Sequence, residues 1–519
     1  MAQDAAATAL PDRLRAAGAR PASGARRVLI AAGALFLAVF ALYALTAQHD
    51  IAWQDQGEYV LRMVTGEQIH HMGLALSHPL HQWLGRISIG LLPFLEPPHA
   101  AAMVSALFGA LTVTMVFGAV AGLTRNPWAA TFAAVSLAVA HTFWRLSTYV
   151  DCYTISTMLL AIECGCLIGF ARSRAPGWLL GMMFVNGLGL ANHNLALLML
   201  PVLGIVLLMG VFYWRVLSWG GFALAIGLWV VGSLPFTGLV FGRMLETGQV
   251  MGTIHSALFG DFESNVLHMG LPVTQTAIST GFMALSFPSL ALPLAVLGMF
   301  KGQMAPLVRR ALLAGLAIHL LFVLRYDVID QYTFLGPAYT ILMIFAGSGM
   351  AVLLARPRSR RRLTVAGLAA GLLLLTPLIY LQAPELARAS GWVEPFERNR
   401  PYRDDYTYLF HPWRHHETSA GDMSRHAVEL AGERAIIISP NQMAMYAIRY
   451  QLHREQRDGV ELERTFHSSL ARLADRHDRP VVLVPRDRDD PDDGVVLPWG
   501  RWVREGDLYL WDPDADEDD

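Results

Sequence analysis

Long apolar runs dominate the first 381 residues of this chain, and they constrain its fold more than any other feature. About 20 apolar residues cross the hydrocarbon core of a bilayer as a helix, which satisfies its own backbone hydrogen bonds there. Only 16% of the residues are charged, whereas a soluble protein has about a quarter. The runs therefore predict a polytopic α-helical membrane protein. Its predicted spans, about eleven in number, are 28–47, 99–121, 127–143, 152–171, 176–191, 194–213, 217–241, 277–300, 311–324, 334–355 and 363–381.

The basic residues indicate how these spans are oriented. If the N-terminus lies inside, the inside segments before residue 382 carry 17 Lys and Arg residues, whereas the outer loops carry five. Short loops rich in Lys and Arg stay on the cytoplasmic side. We therefore expect residues 1–27 to be a basic cytoplasmic tail, the run at 28–47 to be an uncleaved anchor, and the C-terminus to lie outside. The expected location is a bacterial inner membrane.

The character of the chain changes after residue 381. "RAIIISP" (434–440) and "RPVVLVP" (479–485) predict short buried strands, with helical stretches near 441–456 and 467–478. "WVREGDLYLWDP" (502–513) predicts a closing hairpin. These elements predict a small extracytoplasmic α/β domain over 382–511, followed by an acidic tail over 512–519.

Acids, imidazoles and one arginine recur where the predicted spans reach the outer side. The first outer loop, 48–98, opens with "WQDQGEY", in which two carboxylates lie three residues apart and would share one face of a helix. The flanking Trp53 and Tyr59 make simple solvation of these acids a weaker explanation. The candidate site residues are Asp55, Glu58, His78, Asp151, Asn192, His193, Arg325 and Asp330.

Structural roles compete with functional ones at the "NHN" turn and at Asp151, as they do at Arg325 below. The "NHN" turn at 192–194 would equally cap helix ends through its side-chain amides. Asp151 follows a Trp-Arg pair and would equally serve as a structural partner of Arg145. The sequence leaves both alternatives open.

Five segments, in order, resemble the DUF2723 (TMEM260-like) family of membrane proteins. "DQGEY" and the later "SHPL" resemble its Asp-x-Gly-Glu and His-Pro pattern, and "SALFGALTVTMVF" resembles its second span. "HTFWRLSTYVDCYTIS", "GLGLANHN" and "YDVIDQYTFLGPAY" resemble three further segments. The resemblance covers roughly residues 50–350. It carries over Asp55, Glu58, His78, Asp151, Asn192, His193 and Asp330.

That family is similar to the GT-C glycosyltransferases. The resemblance therefore implies a GT-C-like transmembrane domain over 28–381 that passes a sugar from a polyprenyl-phosphate carrier to an acceptor outside the membrane. The partners would be the lipid bilayer, the lipid-linked sugar and a protein, lipid or glycan acceptor, and no nucleic acid is expected. Gln56 stands where the family has a small residue, and "HPLHQW" lacks its Pro-Gly-Tyr continuation. These departures leave the donor and the acceptor open.

The chemistry of such a transfer suits carboxylates at the membrane surface. In-line displacement of a phosphate from an anomeric carbon inverts the configuration, and it needs one carboxylate near the incoming hydroxyl. We expect Asp55 to be this base and Glu58 to orient either the base or the acceptor.

The leaving phosphate needs positive charge or a metal ion. Arg325 is a permanent cation suited to bidentate phosphate contact. Alternatively, it pairs with Asp327 or Asp330 and only braces its loop. Asp151, or alternatively Asp330, is the expected ligand of a divalent cation, Mg²⁺ or Mn²⁺. The other expected substrate-binding residues are His78, Asn192, His193 and Asp330.

Two other classes of protein compete with the enzyme. A transporter or flippase of lipid-linked saccharides would show inverted repeats and polar groups at mid-depth, whereas the polar residues here lie at one side and no repeat is visible. A non-catalytic cell-envelope assembly protein would use the outer domain for binding. Substitution of Asp55 distinguishes the enzyme from these two classes, because loss of function with intact expression favours the enzyme.

Overall fold

The computed structural model describes residues 22–355, 360–392, 399–464, 479–490 and 501–512. Its first part is helical, and its last part combines helices with a sheet. The helices of the first part are α1 (Ala22–Leu45), α2 (Gln56–Thr65), α3 (Pro79–Leu91), α4 (Pro97–Thr124), α5 (Pro127–Ala138), α6 (His141–Leu146), α7 (Tyr153–Ser173), α8 (Gly177–Asn192), α9 (Leu200–Phe212), α10 (Trp219–Thr247), α11 (Val250–Leu258), α12 (Glu263–Val266), α13 (Val273–Ser286), α14 (Ala291–Lys301), α15 (Pro306–Arg325), α16 (Gly336–Leu354) and α17 (Arg360–Ala389).

Every apolar run that the sequence marks as a span contains helix. Among the described residues, seven helices are long and apolar enough to cross a membrane, and the bent pair α13–α14 would be an eighth. Helices α5 and α9 are shorter apolar helices. The polytopic helical fold is therefore confirmed, whereas eleven as the number of spans stays a prediction.

Small residues allow the membrane helices to approach one another closely. Gly187 of α8 packs against the backbone of Trp229 in α10, and Gly232 of α10 packs against the backbone of Phe184 in α8. A Cβ at either glycine would overlap the facing backbone. Gly298 of α14 fits against α16 in the same way. Van der Waals packing of small residues drives helix association in lipid, where no hydrophobic effect is available.

The last part of the chain contains α18 (Asp405–Phe410), α19 (Ser419–Ala431) and α20 (Gln442–Glu455), together with five strands. The strands are β1 (Ile436–Ile438), β2 (Glu461–Glu463), β3 (Val481–Leu483), β4 (Arg501–Glu505) and β5 (Leu508–Asp512). Their order is β2-β1-β3-β5-β4, with β1 parallel to β2 and β3, and β5 antiparallel to β3 and β4.

The sheet agrees with the sequence prediction in most elements. Strands β1 and β3, helix α20 and the β4–β5 hairpin lie where they were predicted. Strand β2 was not predicted, and the predicted helix at 467–478 lies outside the described residues. Helix α17 continues to Ala389, so the predicted boundary at 382 falls inside a helix.

The C-terminal part is joined to the first loop of the membrane part. The Trp53 indole donates a hydrogen bond of 2.8 Å to Ser419 Oγ, and Arg425 pairs with Asp50 at 2.6 Å. Helix α20 packs directly on α2 at Gly57, where a Cβ would lie 2.5 Å from the Tyr446 carbonyl carbon. The loop that carries the acidic motif is thus held between the membrane helices and the C-terminal domain.

Candidate active site

The acidic motif begins α2. Asp55 is the residue before the helix, and Glu58 lies in its first turn. Trp53 is fully buried, and Glu58 is 3% exposed. Glu58 therefore stands inside the structure, where solvation does not explain it, whereas Asp55 is partly exposed.

A cavity of about 280 Å³ lies beside Asp55 and is lined by residues of the membrane part of the chain. Four predicted site residues line it, from four separate segments of the chain: Asp55, His78, His193 and Asp330. Its remaining wall is mostly aromatic and aliphatic, and includes Tyr59, Tyr153, Tyr326, Phe322 and Phe334. An apolar cavity with a few convergent polar groups is the usual form of a binding site.

The backbone at the "SHPL" motif fixes His78. This residue has a left-handed conformation (φ 44°, ψ 54°) directly before α3, and Pro79 takes the first helical position. Its Nδ1 donates a hydrogen bond of 2.8 Å to the carbonyl oxygen of Asn192. Burial, followed by the nearby His193, holds the pKa of His78 well below its usual range. The neutral ring therefore offers Nε2 as a hydrogen-bond acceptor.

His193 has the opposite tautomer. Its Nδ1 accepts a hydrogen bond of 3.0 Å from the Leu195 amide, so the proton of the neutral ring lies on Nε2. Burial lowers the pKa of His193 to about 4. The rings of His78 and His193 stack with centroids 4.8 Å apart. The cavity wall thus contains two imidazoles with different Nε2 atoms: that of His78 accepts a hydrogen bond, and that of His193 donates one.

The "NHN" turn makes the structural contacts that the sequence allowed, and its role in substrate binding stays a prediction. The Asn192 amide donates to the Cys152 carbonyl and to Ser156 Oγ, both at 2.8 Å, which ties the end of α8 to the start of α7. The Asn194 amide donates to the Ala257 carbonyl at 2.9 Å, at the end of α11. The two asparagines brace helix ends, and they hold His193 against the cavity.

Asp151 lies behind the cavity wall. It is buried, and its Oδ1 accepts a hydrogen bond of 3.3 Å from the Tyr153 amide. Burial, followed by the charge of Asp55 and more weakly that of Asp330, holds the pKa of Asp151 well above its usual range. The three carboxylates are therefore close enough to interact. Their hard oxygens suit Mg²⁺ or Mn²⁺.

Two groups of three side chains in the described ranges bring their ligand atoms within 4.8 Å of one another. One is His78, Cys152 and His193, and the other is Glu58, His70 and His71. Asp151, the metal ligand predicted from the sequence, belongs to neither group. Its role as a metal ligand stays a prediction.

Arg325 is placed away from the cavity lining. Its Nη2 donates to the His268 carbonyl oxygen at 2.5 Å and lies 3.1 Å from Met269 Sδ. Asp327, one of the partners considered for it, accepts instead from the Gln275 amide at 2.8 Å. In this structure Arg325 braces the 268–269 segment. Its contact with the donor phosphate stays a prediction.

Two residues near the motif were not predicted as site residues. Arg62 is fully buried and donates to the carbonyls of Gln68 (2.7 Å) and Ser77 (3.0 Å), which shapes the loop that leads to His78. Tyr446 of α20 is buried beside the motif, and its burial, followed by Asp55 and Glu58, raises its pKa. Arg62 follows Glu58 by four residues, a spacing visible in the sequence, whereas nothing local points to Tyr446.

The fold and the site define a polytopic membrane protein of GT-C architecture, with a C-terminal α/β domain and an apolar cavity that holds a few convergent polar groups. Residues 55–216 match the family described as Protein O-mannosyl-transferase TMEM260 N-terminal domain. Protein O-mannosyl-transferase TMEM260 of Mus musculus is 26% identical over 197 residues, which cover 36% of this chain and 27% of the mouse protein. The match thus spans about a quarter of that relative, and it confirms the resemblance seen in the motifs.

Solved structures support the fold over nearly the whole chain. ArnT from Cupriavidus metallidurans bound to undecaprenyl phosphate has a TM-score of 0.56 at 14% identity, with 93% of this chain and 97% of ArnT covered. The same protein in the apo state has a TM-score of 0.55 at 14% identity, with 94% and 98% covered. At this identity the likeness establishes the arrangement of the helices and of the C-terminal domain.

Proposed function

We propose that this protein is a membrane glycosyltransferase that moves a sugar from a polyprenyl-phosphate-linked donor to an acceptor at the outer face of the membrane. The observation that carries the proposal is the cavity in which Asp55, His78, His193 and Asp330 meet. The membrane of a bacterial cell, with the C-terminal domain outside, is the location that fits the basic residues of the opposite loops.

Asp55 is the proposed base. Its carboxylate takes the proton of the acceptor hydroxyl as the hydroxyl oxygen bonds to the anomeric carbon of the sugar. The bond from that carbon to the phosphate oxygen breaks, and its electron pair leaves with the polyprenyl phosphate. Attack from the face opposite the phosphate inverts the anomeric configuration.

The two imidazoles of the cavity have different roles in hydrogen bonding to the substrates. His193 donates from Nε2, which suits a phosphate oxygen whose charge grows as the bond breaks. His78 accepts at Nε2, which suits a hydroxyl of the sugar or acceptor. Asp330 lies across the same cavity and orients the substrate. A Mg²⁺ or Mn²⁺ ion near Asp151 would supply further positive charge to the phosphate.

The comparisons suggest which substrates to test first. The mouse relative is named for protein O-mannosyl transfer, and the ArnT structure contains undecaprenyl phosphate. The first substrates to test are therefore a mannose linked to a polyprenyl phosphate as donor and a protein as acceptor. The aromatic and aliphatic wall of the cavity would face the first isoprene units of the donor.

Substitution of Asp55 by Asn tests the proposal in purified protein. We expect transfer to fall by about 10²–10⁴-fold, because an amide cannot accept the proton. The matched control is Asp261→Asn, which alters an exposed acid of another loop outside the cavity lining. The assay follows release of polyprenyl phosphate from a panel of polyprenyl-phosphate sugars.

Full activity of the Asp55→Asn protein would overturn the assignment of the base. Movement of a lipid-linked sugar across vesicles without any release of polyprenyl phosphate would instead favour a flippase. An Asp261→Asn protein with wild-type turnover shows that a loss at Asp55 is specific to the cavity.

A further inference from the structure

A second cluster of potential ligands lies within the first outer loop, next to helix α20 of the C-terminal domain. We propose that Glu58, His70 and His71, here called the junction cluster, bind one divalent metal ion of the zinc class. The proposal does not depend on the glycosyltransferase activity, and it gives Glu58 a role different from orienting Asp55.

The spacing of the junction cluster suits one ion. The three ligand atoms lie within 4.8 Å of one another. Glu58 Oε1 and His71 Nδ1 are 3.4 Å apart. Ligands about 2.0–2.2 Å from a tetrahedral zinc ion are about 3.4 Å from each other. This pair therefore already has the separation of two ligands on one ion, and His70 must approach by a small adjustment.

Glu58 carries an independent sign of a missing partner. It is 3% exposed, and its Oε2 has no hydrogen-bond partner among the described residues. A buried carboxylate oxygen without a partner is costly, and native proteins rarely leave one. A cation at the junction cluster that binds both oxygens of the Glu58 carboxylate would satisfy this oxygen as well as Oε1.

The chemistry of the donors selects the metal. Two imidazoles with one carboxylate favour zinc-class ions over Mg²⁺ or Ca²⁺, which prefer oxygen ligands. His70 is neutral, because burial and the nearby Arg62 lower its pKa to about 3. Two features oppose binding: the positive charge of Arg62, and the Met72 amide, which donates to His70 Nδ1 at 3.1 Å. His70 must give up that hydrogen bond or turn its ring to become a ligand.

The junction cluster is open to solvent on one side and contacts the C-terminal domain on another. The His71 side chain is 41% exposed, so an ion can enter from solvent. His71 Nε2 also lies 3.5 Å from Tyr446 Oη and 3.4 Å from the Gln442 amide, both in α20. An ion held by the junction cluster would therefore stiffen the contact between the first outer loop and the C-terminal domain.

The test uses full-length protein purified through a histidine-free tag, stripped with EDTA and dialysed. Zn²⁺ is added, unbound metal is removed, and bound metal is counted by mass spectrometry. Co²⁺ absorption reports the coordination geometry. We expect about one equivalent of Zn²⁺ and a raised melting temperature in wild type, and loss of both in Glu58→Gln and in His71→Asn. His71 is exposed, so its variant tests the site even if the Glu58 variant folds poorly.

The matched control is His255→Asn. It removes an imidazole of similar exposure to His71 from a pair with the exposed Glu263, whose oxygen is 3.1 Å from the His255 nitrogen. This variant should bind Zn²⁺ as wild type does. Absence of stoichiometric Zn²⁺ in wild type, or equal binding in the Glu58 and His71 variants, would overturn the proposal. Binding is measured without substrate, so failure here is distinct from failure of the transfer assay.

Discussion

At the scale of single residues, the two acids of the "WQDQGEY" motif enter different surroundings. Asp55 lines the cavity, whereas Glu58 faces His71. Three-residue spacing predicted a shared face, but Asp55 stands before the first turn of α2 and Glu58 within it. Substitutions at the two positions should therefore have different consequences: loss of transfer at Asp55, and loss of metal at Glu58.

His81 provides a prediction about pH. It is fully buried, its two ring nitrogens have no hydrogen-bond partner in the described part of the chain, and burial followed by Arg62 lowers its pKa to about 3. An unfolded histidine has a pKa of about 6.5, so between these values the unfolded chain binds the additional proton. Stability should therefore fall as the pH drops below about 6.5, by up to ~1.4 kcal/mol per pH unit for this group.

Replacement of His81 by Phe keeps an aromatic ring against Tyr59, whose ring centroid is 5.1 Å away. The variant should lose less stability on acidification than wild type. Melting temperatures in detergent between pH 7.5 and 4.5 measure this. Identical slopes for the two proteins would show that His81 is not the buried group that titrates.

At the scale of elements, the packing of α2 on α20 depends on one glycine. A Cβ at Gly57 would lie 2.5 Å from the Tyr446 carbonyl carbon and 2.7 Å from the Ala447 nitrogen, both of which belong to a helix backbone. Gly57→Ala should destabilise the docked domain by ~1–3 kcal/mol, the usual cost of overpacking. Faster proteolytic release of the C-terminal domain would report the weaker docking.

Gly90→Ala is the control for this change. Gly90 lies in α3, with nothing within 4 Å of the added methyl group. Alanine in an open helical position is favoured over glycine by roughly 0.5–1 kcal/mol. A Gly57→Ala protein as stable as Gly90→Ala would contradict the close approach of α2 and α20.

The helical segment at 277–300 differs from its prediction because of a proline in the middle of the run. The run at 277–300 was predicted as one span, but α13 and α14 meet at a 92° bend. Pro288 lies between them, and proline lacks the amide that a continuing helix requires. Ser289 Oγ then accepts from the Ala291 amide at the start of α14. The residues that produce the bend were visible in the sequence.

At the scale of the whole molecule, the acidic motif links the cavity to the C-terminal domain, because Asp55 lines the cavity and Gly57 packs on α20. Reporter fusions at Arg360 and near residue 450 should therefore report opposite sides of the membrane, because α17 separates these positions. The loops rich in Lys and Arg are expected on the cytoplasmic side, opposite the C-terminal domain. The N-terminal side of α17 should be cytoplasmic. Finding both reporters on one side would contradict the topology and the outer location of the cavity.

The sequence by itself determined the class of the protein and most of its helices, because membrane spans are read from local apolar composition. It also marked Asp55, His78, His193 and Asp330, which line one cavity in the structure, because polar groups at the ends of apolar runs are costly unless they serve a purpose. The strands β1 and β3 and the β4–β5 hairpin were likewise visible as local patterns.

Only the tertiary structure decided which polar residues meet. Asp55 and Asp330 are far apart in the chain yet line one cavity, whereas Arg325, five residues before Asp330, does not line it. The placement of Tyr446 against the motif depends on helix packing, and no local pattern records that contact. The side-chain environment of a residue is set by where helices cross and domains dock, and those contacts join positions that the chain order keeps apart.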